Sequence, residues 1–479
     1  MFVLILMLVV FILGYIAIAM EGPLKVNKAA SALFLGVIIW VIYIYGLPNV
    51  LELGYSPSWL HFLKSSELAD FKSKYPDAGL IGQMKYFVTT HEVIDHLGTL
   101  SEILFFLLGA MTIVETVDQH EGFRVITDKI KTTNKVKLLW ILATITFFLS
   151  GVLDNMTTTI VMIALLRKLI DDKKTRWFFA SIIVIAANAG GAFTPIGDVT
   201  TIMLWIGGQI TAIDIMGMVF LPSVISLVIP LAIISLYIKG EVQKPENTAD
   251  EASHEKGIRF LMLAMGIGGL IFVPIFKELT DLPPYMGMLL SLSVIWITTE
   301  IIHKDSPETH KRKFTVIGIL KKVDIPTILF YLGILSAVAA LESAGHLQIM
   351  AEYLDKHLHN IYLINGAIGL LSSIVDNVPI VAASMGMYPI MTHTLVQASA
   401  EPAFMHHFIQ NGAFWELLAY AAGTGGSILI IGSAAGVVAM ALEKIDFIWY
   451  MKKIAWLALL GYIAGIVTYW LQNTLIFHH

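Results

Sequence analysis

The run from Leu138 to Leu166 constrains the fold more than any other stretch. It is apolar enough for a bilayer, yet positive charge stands at both ends. Arg124, Lys129, Lys131, Lys135 and Lys137 precede it, and Arg167, Lys168, Lys173, Lys174 and Arg176 follow it. Lys and Arg beside membrane spans stay cytoplasmic. Both ends therefore face the cytoplasm, so the run must enter the membrane and turn back. Its middle reads SGVLDNMTTTIVMI, residues 150–163. The turn is expected at Asp154 and Asn155, where a charge and poor helix formers interrupt the apolar letters. Non-helical backbone at that depth is tolerated only when buried in protein or lining a watery cavity.

Composition supports the same setting. Of 479 residues 57% are hydrophobic and 14% charged, and mean hydropathy is +0.76. Soluble domains carry roughly 25% charged residues, so the chain reads as an all-α polytopic membrane protein with the lipid bilayer as its main partner and no role with nucleic acid. It has no cysteine, which removes disulfides and thiolate metal sites. Residues 1–20 lack a basic leader and a small-residue cleavage site, and are expected to be the first span.

Applying the charge rule throughout predicts spans near 1–20, 30–47, 99–117, 177–212 and 215–238, with the re-entrant hairpin 138–166 before the fourth. A second set is predicted near 259–276, 284–302, 325–343, 412–441 and 454–475, with hairpin 361–391 before its fourth. Each half, 1–238 and 258–479, then has five crossings and one hairpin. Five is odd, so the halves are inverted relative to each other. Residues 239–257 form a cytoplasmic linker, and both termini lie outside a bacterial cytoplasmic membrane.

The repeat is visible in the letters. SGVLDN recurs as SSIVDN: Ser150 and Asp154 reappear 222 positions later as Ser372 and Asp376. Downstream, NAGGAFTPIGD (188–198) matches GTGGSILIIGS (423–433), with Gly190, Gly191 and Gly197 shifted by 235 onto Gly425, Gly426 and Gly432. Paired Gly/Pro-interrupted spans in corresponding halves are the best sequence pointer to a transporter binding site. The spans 177–212 and 412–441 are accordingly expected to be broken helices.

These segments, with LFFLLGAMTIVE (104–115), resemble the NhaD family of bacterial sodium/proton antiporters within the ion transporter superfamily. The superfamily also holds sodium/dicarboxylate symporters and arsenite pumps. The resemblance implies two hairpins whose tips meet two broken helices at mid-membrane, a homodimer, and an elevator-like motion. It covers nearly the whole chain from about residue 90. Where dicarboxylate symporters carry Ser-Asn-Thr at the tips, this chain carries Asp154-Asn155 and Asp376-Asn377.

Sodium takes hard oxygen ligands, by analogy with hard divalent cations. Asp154, Asn155, Ser150 and Thr157 offer them at the first tip, and Asp376, Asn377, Ser372 and Ser373 at the second. Asn188, Thr194, Asp198 and Thr200 offer them at the first break, and Thr424, Ser427 and Ser433 at the second. Sodium is expected at Asp154, Asn155, Asp376 and Asn377. Intramembrane carboxylates mark ion pathways by default. Competition of proton and cation for them gives exchange of sodium, and lithium with it, for protons. No cofactor is needed beyond the transported ions. Asp198 has no acidic counterpart, Ser433 standing at the matched position, so it reads either as a further proton-path carboxylate or as a helix cap.

Glu102 and Glu342, in the third span of each half, are candidates for an access route. Glu115, Glu300 and Glu416 are expected at the interface, and His91, His96 and the HHFI segment (406–409) in external loops. An anion carrier on the same scaffold, for a dicarboxylate or arsenite, is the alternative; two or three carboxylates and no intramembrane Lys or Arg argue for a cation instead. An intramembrane aspartyl protease is a further alternative; by resemblance such enzymes carry Tyr-Asp and Gly-x-Gly-Asp, which this chain lacks, and the chain is not read as an enzyme.

Overall fold

The computed structural model describes residues 2–127, 129–130, 132–243, 256–305, 307, 314–374 and 376–477. Those residues are helical, with no strand among them beyond isolated bridges. The main helices are α1 (Phe2–Ala19), α2 (Lys28–Tyr45), α3 (Val93–Gln119), α4 (Lys135–Leu153), α5 (Asn155–Leu169), α6 (Lys173–Ala192), α7 (Val199–Ile206) and α8 (Ala212–Tyr237). They continue with α9 (Lys256–Thr280), α10 (Pro284–Ile302), α11 (Ile325–Ser343), α12 (Ile361–Ser372), α13 (Asn377–Met387), α14 (Ala413–Gly425), α15 (Ala434–Glu443) and α16 (Trp456–Gln472). Among the described residues, eight helices or helix runs are long and apolar enough to cross a membrane. The chain is an all-helical, multi-pass membrane protein. Of the expected linker, residues 244–255 lie outside the described residues, as does Val375 in the second hairpin.

The chain divides into two compact units. One comprises 1–104, 324–360 and 381–389. Its centre is the pair α2 and α11, where Tyr43 Oη donates to Ser343 O at 3.1 Å and Trp40 Nε1 to Ser336 O at 3.1 Å. His91 and His96 belong here, and the expectation of an external loop does not hold. Residues Leu80–Gln119 run as one helical stretch, π-helical over Phe87–Glu92. The polar letters of HEVIDH suggested solvent. Instead His91 lies among Phe62, Tyr86 and Phe87, under short helices the sequence reading left out, Pro57–Phe62 and Ser66–Lys74. His96 Nε2 lies 3.1 Å from Ser343 Oγ, which donates to Glu92.

The other unit comprises 105–323, 361–380 and 390–479. Two of its helices are buried on every side, α6 from Phe179 to Ala192 and α14 along its whole length. A helix apolar all round belongs in an interior, and these two form the centre. α4 and α5 pack on α6, α12 packs on α14, and α8 packs on α16. At the ends of α5 and α6, Arg167 and Arg176 grip the buried Glu443 of α15 at 2.7 and 2.9 Å. Glu416 is buried and accepts a hydrogen bond from Tyr469 Oη. It stands one turn into the fully enclosed α14. The HHFI segment is a short 3-10 turn whose Phe408 is buried against Phe414 and Trp415.

Candidate functional site

A helix breaks at each expected interruption. α4 stops at Leu153 and α5 starts at Asn155, with Asp154 between them at φ 105°, ψ 158°. Positive φ is uncommon for a residue with a side chain, and residues held in such regions store about 1–3 kcal/mol. The carboxylate compensates by capping α5: Oδ1 accepts from Thr157 N at 2.8 Å and Oδ2 from Thr157 Oγ1 at 2.7 Å. Asp376 accepts from Val378 N at 3.2 Å at the start of α13.

α6 ends at Ala192 and α7 begins at Val199, leaving 193–198 non-helical. α14 ends at Gly425 and α15 begins at Ala434. The second half of each broken helix is capped by a side chain at the same place in the motif. Asp198 Oδ1 accepts from Thr200 N at 3.1 Å, and Ser433 Oγ from Gly436 N at 3.2 Å. Asp and Ser both rank among the strong N-caps, which explains how the repeat accommodates either.

The two helix pairs seat on the broken helices through equivalent contacts. Ser150 Oγ donates to Ala187 O at 2.6 Å, and Ser372 Oγ to Ala422 O at 2.9 Å. A Cβ on Gly190 would lie 2.0 Å from Phe147 O, and one on Gly425 2.2 Å from Gly369 O. These partners are related by the offsets of 222 and 235 seen in the letters. Only glycine permits backbone to meet backbone this closely.

The tips then meet at one carboxylate. Asp198 is 1% exposed. Its Oδ2 accepts from Asn155 Nδ2 at 2.7 Å, and Asn377 Nδ2 lies 3.4 and 3.3 Å from Oδ1 and Oδ2. Asn155 Nδ2 also reaches Asn188 Oδ1 at 3.2 Å, and Asn188 Nδ2 donates to Ser427 Oγ at 2.8 Å and Ser433 Oγ at 2.9 Å. One polar network thus joins both tips and both breaks. Asp154 and Asp376 lie within electrostatic range of Asp198. The Thr200 hydroxyl sits beside the same carboxylate without a hydrogen bond of good geometry, and its oxygen is fully buried.

Of the expected residues, Asn155, Asn188, Asp198, Thr200, Asn377, Ser427 and Ser433 come together here. Ser150 and Ser372 spend their hydroxyls on the backbone seats. Thr194 Oγ1 donates to Gly151 O at 2.7 Å and Thr424 Oγ1 to Tyr420 O at 2.6 Å. Thr157 serves Asp154, and Ser373 Oγ donates to Leu370 O at 2.7 Å. Glu102 and Glu342 fall in the other unit, where Glu342 packs against Gly386 of α13. From sequence Asp198 reads as a carboxylate site or as a cap. It is a cap and also the centre of the network, and its unmatched position in the repeat was the available signal. Tyr450 was missed altogether: its hydroxyl donates to Ser427 O at 2.7 Å and supports the second break.

The hydrogen bonds that reach the Asp198 carboxylate among the described residues come from N–H donors, which pair with an ionised carboxylate, and the Thr200 hydroxyl beside it can donate or accept. The site also lies at the N-terminus of α7, where the helix dipole favours negative charge. No Lys or Arg occurs in 138–166, 177–212, 361–391 or 412–441.

A sequence model described as a citrate transporter matches residues 1–406. The chain is 44% identical over 466 residues to sodium/proton antiporter 1 of Arabidopsis thaliana, covering 97% of this chain and 71% of that one. It is 42% identical over 468 residues to sodium/proton antiporter 2 of the same plant, covering 97% and 98%. It is 29% identical over 403 residues to the Na+/H+ antiporter NhaD of Vibrio cholerae, covering 78% of each. These relatives are transporters rather than enzymes. The chain belongs to the citrate transporter family and, within it, to the sodium/proton antiporters of the NhaD type.

Proposed function

We propose that the protein exchanges sodium, and lithium with it, for protons across a membrane, and that the cluster around Asp198 is where the two compete. The observation that carries the site is the convergence of Asn155 and Asn377, one from each helix pair, on a single buried carboxylate. With the donors in place the ionised form of the carboxylate is supported and can hold a cation, aided by the amide and hydroxyl oxygens around it and by Asp154 and Asp376 nearby. A proton on Asp198 would compete with the asparagine N–H donors for the carboxylate oxygens, so proton loading is linked to the asparagine tips withdrawing or turning. Protonation and tip position are thereby linked, and one ion leaves as the other enters. Glu102 and Glu342 are proposed to serve the access route.

The proposed topology makes 1–238 and 258–479 inverted repeats joined by 239–257, with the pairs α4–α5 and α12–α13 as re-entrant hairpins. Basic clusters face the cytoplasm and both termini lie outside a cytoplasmic membrane of bacterial type. The protein is proposed to work as a homodimer.

The family description raises the alternative of a carboxylate cargo. A polyanion would meet Asp198, Asp154 and Asp376 with no basic side chain on the same segments, which is unfavourable on Coulomb grounds. The test uses everted vesicles and a pH-sensitive dye. Asp198→Asn keeps the cap geometry but not the charge, and Asp154→Asn does the same at the first tip. Each is expected to lose sodium-dependent proton movement by about 100-fold or more, the effect of about 2.7 kcal/mol. Full exchange by Asp198→Asn would reject the site. Counterflow of radioactive sodium that fails, while a carboxylate exchanges, would reject the function.

A further inference from the structure

A second cavity lies outside the ion site. It has a volume of about 480 Å³ and is walled by Phe148 and Gly151 of the first helix pair, by Phe193 to Ile196 of the first break, and by α8 and α9. This volume falls within the roughly 300–1,000 Å³ of small-molecule sites. The wall contributed by α9 is Ile271, Pro274, Ile275, Glu278 and Leu279. That spacing of 3, 4, 7 and 8 is one face of a helix. From Glu278 to Ile271 the stripe descends about 10 Å, at ~1.5 Å per residue. Everything lining it is apolar apart from Thr194, whose hydroxyl is satisfied by Gly151 O, and Glu278 at one end. Ile271 and Ile275 are 47% and 50% exposed. Phe148 and Ile213, also lining it, are 55% and 75% exposed. The cavity is therefore a groove continuous with the lipid-facing surface of the spans.

An amphiphile with a positive end and an apolar tail complements this shape: charge at Glu278, tail along the isoleucines, tip against Gly151 and Thr194. Lys277, next in sequence, does not supply that charge, because its ammonium lies over the Trp205 ring at 5.0 Å. We propose that the groove is a binding site for one membrane phospholipid with an amine headgroup, its acyl chain lying against the tip of the first helix pair. This reading is independent of which ion is exchanged.

Native mass spectrometry of the purified full-length protein tests it, with phosphatidylethanolamine and phosphatidylglycerol as competing probes. One phosphatidylethanolamine per chain is expected to survive delipidation. Ile275→Trp fills the groove from an exposed position and should abolish retention while exchange activity shows that the fold survives. Glu278→Gln should keep the lipid but reduce the preference over phosphatidylglycerol about fivefold, the effect of about 1 kcal/mol for one interfacial charge. Equal retention of both lipids by the unmodified protein would overturn the proposal. So would undiminished retention in Ile275→Trp, or loss of a dimer in that variant in place of lipid, which would make a second copy the occupant.

Discussion

At the scale of single residues, two aspartates of the same chemistry do different work. Asp198 holds an extended backbone, φ −142°, and spends its oxygens on asparagine side chains from two other segments and on the N–H of Thr200 in the helix it caps. Asp154 holds a strained backbone and turns both oxygens back onto Thr157. Capping alone would explain that arrangement, and glycine can separate capping from ion handling. Asp154→Gly relieves the positive φ, worth about 1 kcal/mol or more, and glycine is a tolerable N-cap, weaker than aspartate by only a few tenths of a kcal/mol. Its thermal midpoint should therefore match or exceed that of the unmodified protein. Its exchange rate in vesicles should nonetheless collapse, because the first tip has lost its charge. A stable, fully active Asp154→Gly would reduce the carboxylate to a cap.

Among elements, the seats between helix pair and broken helix set the tolerance for substitution. Gly190→Ala would drive a methyl into Phe147 O, and Gly425→Ala into Gly369 O, both backbone atoms that no rotamer change can move. Overpacking of this kind costs about 1–3 kcal/mol and sometimes more. Both variants should lose thermal stability by similar amounts in detergent, since the contacts are equivalent; a neutral Gly425→Ala would show that the second pair is loosely seated. These seats also show what was legible in advance. The repeated glycines and Ser-x-x-x-Asp-Asn pattern located both breaks and both tips, because a buried charge or a glycine pair inside an apolar run has few other meanings. The pairing of asparagine with Asp198 was not legible. Periodicity finds a helix face, but not which of two neighbouring polar residues turns toward a carboxylate forty positions away. His91 was misjudged for a related reason: the polar letters around it suggested water, while Phe62, Tyr86 and Phe87 gather about its ring.

For the whole molecule, the open question is which segments cross. By length alone α4 would cross: its 19 residues rise about 28 Å at ~1.5 Å per residue, close to the ~30 Å hydrocarbon core. The basic clusters at both ends of α4–α5 argue against a single crossing, and the equivalent contacts of α12–α13 extend the argument to the second half. The absence of cysteine makes the matter directly testable, since any thiol introduced is the only one. Lys129→Cys and Lys174→Cys flank the first pair, and Lys356→Cys and Glu401→Cys flank the second. A membrane-impermeant maleimide applied to intact cells should label both thiols of the second pair and neither of the first; applied to everted vesicles, it should label the first pair only. Opposite labelling of Lys129→Cys and Lys174→Cys would make α4–α5 cross the bilayer, and the inverted arrangement would then fail. The proposed approach of Asn155 and Asn377 to Asp198 from opposite faces would fail with it, and a proton and a cation would lose the symmetric pair of tips through which their competition is proposed to alternate.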